Sequence, residues 1–307
     1  MSDTTKLSGI SMEVCACGTV GRGNDTNAIC GQLVPPWSME KTPRLLLPSL
    51  AILAMFSLLP AFATVQGVAF THSSGTANCP TGTVCSTNWS GFAVTGSSGS
   101  VSDAKGSWIV PSVSCSSSTT YSSYWVGIDG YSSNTVEQTG TDSDCSSGHG
   151  VYYAWYEFYP NPSVQISGFT VNPGDKISAE VSYSTSTGQF TTTITDGTQH
   201  FSTSASVSGA ARSSAEWIVE RPALCNRVHC KLTSLSNFGT VSLGTDYTQV
   251  ASTNYATING STGAIGSFGS ANIHRITMVN NSGSTLAEPN PLSSDGTSFT
   301  ETWYASS

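Results

Sequence analysis

Beyond residue 88 the chain is written in short runs of alternating apolar and polar residues, each bounded by Gly, Pro, Asn, Asp or Ser. A period of two is the signature of a half-buried strand. It predicts strands over 89–95, 107–113, 124–128, 135–140, 152–159, 164–171, 176–184, 190–195, 200–205, 215–220, 247–251, 256–258, 273–279 and 298–304. Asn172-Pro173-Gly174-Asp175 and Asp196-Gly197 are turn sequences between neighbouring runs. No stretch after residue 63 sustains a period of 3.6. About fourteen short strands, with no internal repeat and no second domain, predict an all-β fold of two packed antiparallel sheets, a β-sandwich or jelly roll.

One stretch carries more than its share of chemistry: WVGIDGYSSNTVEQTGTDSDCSSGHGVYYAWYEFYP, from Trp125 to Pro160. The two-residue period puts Trp125, Gly127 and Asp129 on one face, with Val126 and Ile128 on the other. Tyr153, Trp155, Glu157 and Tyr159 share a face, and Val136 and Gln138 fall together with Glu137 opposed. Carboxylates interleaved with large aromatics are unlike a solvated strand face and point to a site.

The first 63 residues read differently. Residues 1–38 hold Cys15, Cys17 and Cys30 without periodicity. From Met39 the chain has a basic start at Lys41 and Arg44, an apolar run over 45–59 and the small-residue sequence Ala61-Phe62-Ala63. Those are the three parts of a secretory signal peptide, and the run is short for a membrane span. The expected organisation is therefore an upstream extension (1–38) from a mis-called start, a signal peptide (39–63), a flexible leader or short propeptide (64–87) and one β-sandwich domain (88–307). A cytoplasmic tail on a signal anchor is the alternative for the first 63 residues.

Composition narrows the function. The net charge is −8 and only 10% of residues are charged. No basic stripe exists to neutralise phosphates, so a nucleic-acid partner is not expected. From residue 64 onward there are 7 Lys and Arg and 5 His, so charge repulsion in acid stays limited and tolerance of acidic pH is expected. Six cysteines follow the signal, an even count that reads as disulfides in an exported chain. The short spacings favour Cys79–Cys85 and Cys225–Cys230, which leaves Cys115–Cys145. A metal cluster is the weaker reading, because neither C-x-x-C nor H-x-x-x-H occurs. No cofactor or metal is expected. Secretion, extracellular or periplasmic, follows from the signal, with no stable membrane association afterwards and a monomeric state.

Familiar catalytic patterns are missing. There is no G-x-S-x-G elbow and no H-E-x-x-H, and the five histidines are scattered. Carboxylates and amides are left to do any chemistry. In AEWIVE, Glu216 and Glu220 share a strand face with Trp217 and Val219 opposite. At about 3.3 Å per residue they lie roughly 13 Å apart, too far to act as one carboxyl pair. A partner for either must come from another strand.

The ordered set WVGIDG, EQTGTD, AWYEFYP and AEWIVERP resembles the glutamic peptidases, or eqolisins, from about Asn88 to Tyr304. The resemblance implies a concanavalin A-like double-sheet sandwich and a secreted acid endopeptidase acting on protein or peptide substrates. It implies a catalytic dyad of Gln138, from the QTG motif, and Glu220, the second Glu of AEWIVE. Glu220 would serve as general base and then acid on water, and the Gln138 amide would stabilise the oxyanion and orient the water. Trp89, Trp125, Asp129, Asp142, Trp155, Glu157 and Tyr159 fall where the family lines its cleft, tryptophans as walls and carboxylates as hydrogen-bond supports. One position departs: well-known fungal members carry Asp before A-W-Y-E, where this chain has Tyr153, which implies a thinner carboxylate network. Taken singly, Trp125, Trp155 and Trp217 also read as sandwich core, and Glu220-Arg221 as an exposed ion pair. The alternatives in function are a jelly-roll glycoside hydrolase pairing Glu157 with Glu220, and a non-catalytic lectin-like module.

Overall fold

The computed structural model describes residues 64–66, 79–225 and 230–307. The expected extension and signal peptide, and most of the leader, lie outside the described residues.

Fifteen strands build the body of the fold. They are β1 (Trp89–Thr95), β2 (Val101–Ile109), β3 (Ser123–Ile128), β4 (Val136–Ser146), β5 (His149–Tyr159), β6 (Lys176–Ser184), β7 (Gln189–Asp196) and β8 (Gln199–Ala205). The rest are β9 (Ser214–Glu220), β10 (Thr240–Leu243), β11 (Tyr255–Ile258), β12 (Ser261–Ala264), β13 (Ile273–Val279), β14 (Thr285–Pro289) and β15 (Phe299–Trp303). Pairing in the first sheet runs β5-β4-β3-β9-β1-β13-β14-β15-β10, antiparallel throughout. The second sheet runs β8-β7-β6-β2-β11-β12. Leu243 opposite Trp108 joins the two at one corner. The fold is the expected all-β sandwich.

Alternation sorts each strand of the first sheet into two faces. Phe92 and Val94, Tyr124, Val126 and Ile128, and Ala215, Trp217 and Val219 point between the sheets. There they meet Trp108, Ile177, Val181, Phe190 and Ile194 of the second sheet. Each large apolar side chain buried this way contributes on the order of 2 kcal/mol. The other face has a cluster of its own: Trp89, Ala93, Trp125, Val136, Trp155, Ile218 and Ile276. Because both faces are apolar, β1, β3 and β9 are buried along nearly their whole length.

Several elements differ from the periodic reading. β2 covers 101–109 rather than 107–113, since its ladder ends ahead of Pro111 and an irregular register opposite Thr257/Ile258 breaks the alternation. Of 164–171 only Val164–Gln165 pairs; Ile166, Phe169 and Val171 are buried without a ladder. Residues Thr245–Thr248 form a single helical turn where a strand is predicted over 247–251. Strands β10, β12 and β14 escape prediction because four or five residues carry too little alternation. β4 and β5 run longer than expected, closing through Ser147 (φ 51°) and Gly148 (φ 82°), the left-handed pair a two-residue hairpin loop needs. All three disulfides favoured by spacing form: Cys79–Cys85, Cys115–Cys145 and Cys225–Cys230.

Candidate active site

Three cross-strand rows cross the outer apolar face of the first sheet. One row runs Trp89, Glu220, Ser123, Asp142, Tyr153. The next runs Gly91, Ile218, Trp125, Gly140, Trp155. The third runs Ala93, Glu216, Gly127, Gln138, Glu157. Gln138 and Glu220 therefore project from the same face, two strands apart. The glycines in the middle row make space. A Cβ on Gly140 would meet the Tyr124 carbonyl oxygen and lie 2.7 Å from Trp125 Cβ, so Gly140 lets the indole lie flat across its strand.

Glu220, Gln138 and Asp142 on this face are each held by a side-chain hydrogen bond. Trp125 Nε1 donates to Glu220 Oε2 at 2.9 Å, and the Trp125 ring packs edge-on against Trp89 with centroids 4.9 Å apart. Gln138 Nε2 donates to Glu157 Oε2 at 2.6 Å. Gln138 Oε1 is buried and accepts no hydrogen bond from the described residues. Trp155 Nε1 donates to Asp142 Oδ1 at 2.6 Å and Tyr153 Oη to Asp142 Oδ2 at 2.7 Å. Tyr159 lies opposite Val136 at the end of the aromatic cluster.

Burial dominates the electrostatics. Glu220, Gln138 and Glu157 are each 0% exposed. Burial pushes the Glu157 carboxyl well up, the Glu220 charge pushes it further, and the Gln138 amide pulls it partly back. Burial lifts Asp142 to about 6, against hydrogen bonds from Ser123, Tyr153 and Trp155. Asp144 is also lifted by burial and then by Asp142, and its Oδ2 lies 3.2 Å from Tyr153 Oη. The carboxylate network is thus not thinned by the tyrosine. Tyr153 spans two aspartates, and Asp144 had no distinguishing signal in the sequence beyond its two-residue spacing from Asp142.

Register alone does not choose between the two glutamates of AEWIVE. Glu216 lies in the row of Gln138, while Glu220 lies in the row of Asp142. The charges separate them. Glu220 is the acid that acts on Glu157, the partner of Gln138, whereas Glu216 responds to Asp129 and Glu137.

The remaining residues fall elsewhere. Asp129 has φ 74°, which turns its carboxylate away from the Trp125 row. It accepts from the backbone N–H of Arg212 at 2.6 Å and of Ser213 at 2.9 Å, pinning the entry to β9. Trp217 belongs to the inter-sheet core, where its Nε1 donates to Lys105 O. Glu137 points into the same core; burial and the nearby Asp129 lift it to about 9. Glu220 and Arg221 are both buried, at 0% and 8% exposure, so they are not an exposed ion pair.

The model of the Peptidase A4 family matches residues 87–290. Scytalidopepsin B from Scytalidium lignicola is 38% identical over 145 residues, which cover 45% of this chain and 53% of the relative. Aspergillopepsin-2 from Aspergillus niger is 32% identical over 160 residues, covering 44% of this chain and 56% of the relative. The chain thus spans about half the length of the curated relatives it matches. Among solved structures, scytalido-glutamic peptidase with a transition state analog inhibitor superposes with a TM-score of 0.58 at 26% identity, over 71% of this chain and 98% of that one.

Proposed function

Since the chain belongs to the Peptidase A4 family, we propose that it is a secreted acid endopeptidase whose Glu220 and Gln138 hydrolyse peptide bonds through one activated water. The observation that carries this reading is the link through Glu157, which is bonded to the Gln138 amide and feels the charge of Glu220.

The chemistry follows from that arrangement. Ionised Glu220, oriented by the Trp125 indole, takes a proton from water as the water attacks the scissile carbonyl. Protonated Glu220 then gives that proton to the departing amine. Gln138 keeps one N–H on Glu157, leaving the second N–H for the oxyanion and Oε1 to accept from the attacking water. Trp89, Trp125 and Trp155 form apolar walls on both sides and lower the local dielectric, which strengthens each of these interactions. Relatives crystallised with a transition state analog inhibitor support peptides as the substrate class. The three disulfides support an oxidising compartment, in keeping with export directed by residues 39–63. The glycosidase and lectin alternatives require neither Gln138 nor its bond to Glu157.

The test is cleavage of a denatured protein at about pH 4 by material starting near residue 64. Glu220→Gln should lower kcat by about 10⁴-fold and Gln138→Ala by about 10²–10³-fold, with native circular dichroism retained. Glu216→Gln should keep activity within a few-fold. Full activity in Glu220→Gln, or inactivity confined to Glu216→Gln, would overturn the assignment.

A further inference from the structure

We propose that Arg221 and the loop at Asn280–Ser282 form a carboxylate-recognition subsite beside the catalytic strand, reading either the C-terminal carboxylate of a peptide or an acidic side chain. The inference rests on the peptidase reading and adds a substrate preference to it.

Two observations carry it. The first is a cleft of about 350 Å³ where β9 ends, lined among the described residues by Arg221, Asn280, Asn281, Ser282 and the last residue, Ser307. The second is the state of Arg221 itself. It is only 8% exposed, yet among the described residues its side chain has one hydrogen bond, from Nη2 to Thr87 O at 2.7 Å. Its buried Nε has no acceptor among the described residues, and neither ion pair found among them involves it. A guanidinium is a fork of five donors that matches a carboxylate through two parallel hydrogen bonds, and buried cations are ordinarily paired. Burial pulls this one below the usual arginine range, with no neighbouring acid offsetting it. The amides and hydroxyl of the loop supply neutral polar groups around a bound carboxylate.

Position connects the subsite to the reaction. Arg221 directly follows Glu220, so their Cα atoms are about 3.8 Å apart. The Arg221 N–H donates to Asn88 O at 2.8 Å, one residue before Trp89 in the wall of the site. Consecutive residues on an extended chain project to opposite sides, which separates the guanidinium from the Glu220 carboxylate.

Three short peptides of one neutral sequence, each with a non-hydrolysable isostere at every peptide bond, test this: one with a free C-terminal carboxylate, one amidated, and one amidated with a Glu in place of a neutral residue. The free enzyme binds them in a titration calorimeter at pH 5, where an α-carboxyl group is ionised. The expected result is about 10–100-fold tighter binding for at least one carboxylate peptide than for the neutral amide, with the two carboxylate arms identifying the source. The advantage should shrink as pH falls through about 3.5 and the α-carboxylate takes up a proton. Arg221→Met should abolish the advantage while leaving binding of the amide within two-fold, and Arg221→Lys should retain part of it. Equal binding of all three peptides to the native protein would overturn the proposal, and so would a loss in Arg221→Met that is the same for all three. The native-protein comparison stands even if Arg221→Met fails to fold. Because these peptides cannot be turned over, binding separates failure of this subsite from failure of the peptidase reading, which would show as no cleavage of a denatured protein.

Discussion

Glu157 is the residue on which the site turns. Its carboxyl is raised by burial and then by the Glu220 charge, and it accepts from Gln138, so it orients the amide. Replacing it with Ala would leave Gln138 without that anchor while removing nothing from the apolar walls. A misplaced catalytic group can cost about 10²-fold. We therefore expect Glu157→Ala to lower kcat by about 100-fold with KM within three-fold, measured by steady-state cleavage of a fluorogenic peptide. An equal rise in KM with kcat unchanged would make Glu157 a substrate contact instead. The alternation of AWYEFYP places Glu157 on the Trp155 face, and that much was legible from the residues alone. Its bond to Gln138 was not, because a cross-strand partner is set by register, which local pattern does not state.

At the scale of elements, the outer face works because β3, β4 and β9 lie close where Trp125 covers them. Gly140 permits this. A methyl group there would run into the Tyr124 carbonyl and Trp125 Cβ, both held in the middle of the sheet. Overpacking of that kind costs about 1–3 kcal/mol. Gly140→Ala should lower the melting temperature by roughly 3–10 °C and, by displacing Trp125 from Glu220, reduce activity beyond the loss of folded protein. A melting curve with a titration of active sites would show both effects; an unshifted melt would mean that the strands adjust freely. Strands such as β1, β6 and β9 were predicted almost residue for residue, since a full alternation or a known motif marks them. The 247–251 strand failed for a physical reason: Gly244, at φ 101°, turns the chain into a helical turn that tertiary contacts favour over local propensity.

For the whole molecule, the buried carboxyl groups set a pH window. Asp142 is raised from 3.8 to about 6 and Glu137 from 4.5 to about 9, with Asp144, Glu157, Glu216 and Glu301 all lifted, mainly by burial. A group whose pKa is higher folded than unfolded contributes its stability in acid, below about 4, and loses it as pH rises through the folded value. Stability should accordingly fall from about pH 4 through 6 and on towards 9. For Asp142 alone, raised from 3.8 to about 6, this corresponds to roughly 3 kcal/mol. The melting temperature should therefore be at least about 10 °C lower at pH 8 than at pH 4. A flat melting profile between those values would show that these carboxyls ionise without cost. The same argument complements the scarcity of Lys and Arg, which limits repulsion in acid.

The sequence by itself determined the class of fold, the three disulfides and the two faces of each central strand. These follow from local rules: period-two alternation, turn residues and close cysteine spacing act within a few residues of one another. It also carried the motifs in which Gln138 and Glu220 stand. What only the tertiary structure decided is which groups meet: that Glu157 holds the Gln138 amide, that Asp129 turns away to hold β9, and that Arg221 is buried with no ion pair among the described residues. Such meetings depend on strand order, register and twist, and those are settled by packing across the whole sandwich rather than by any short stretch of residues.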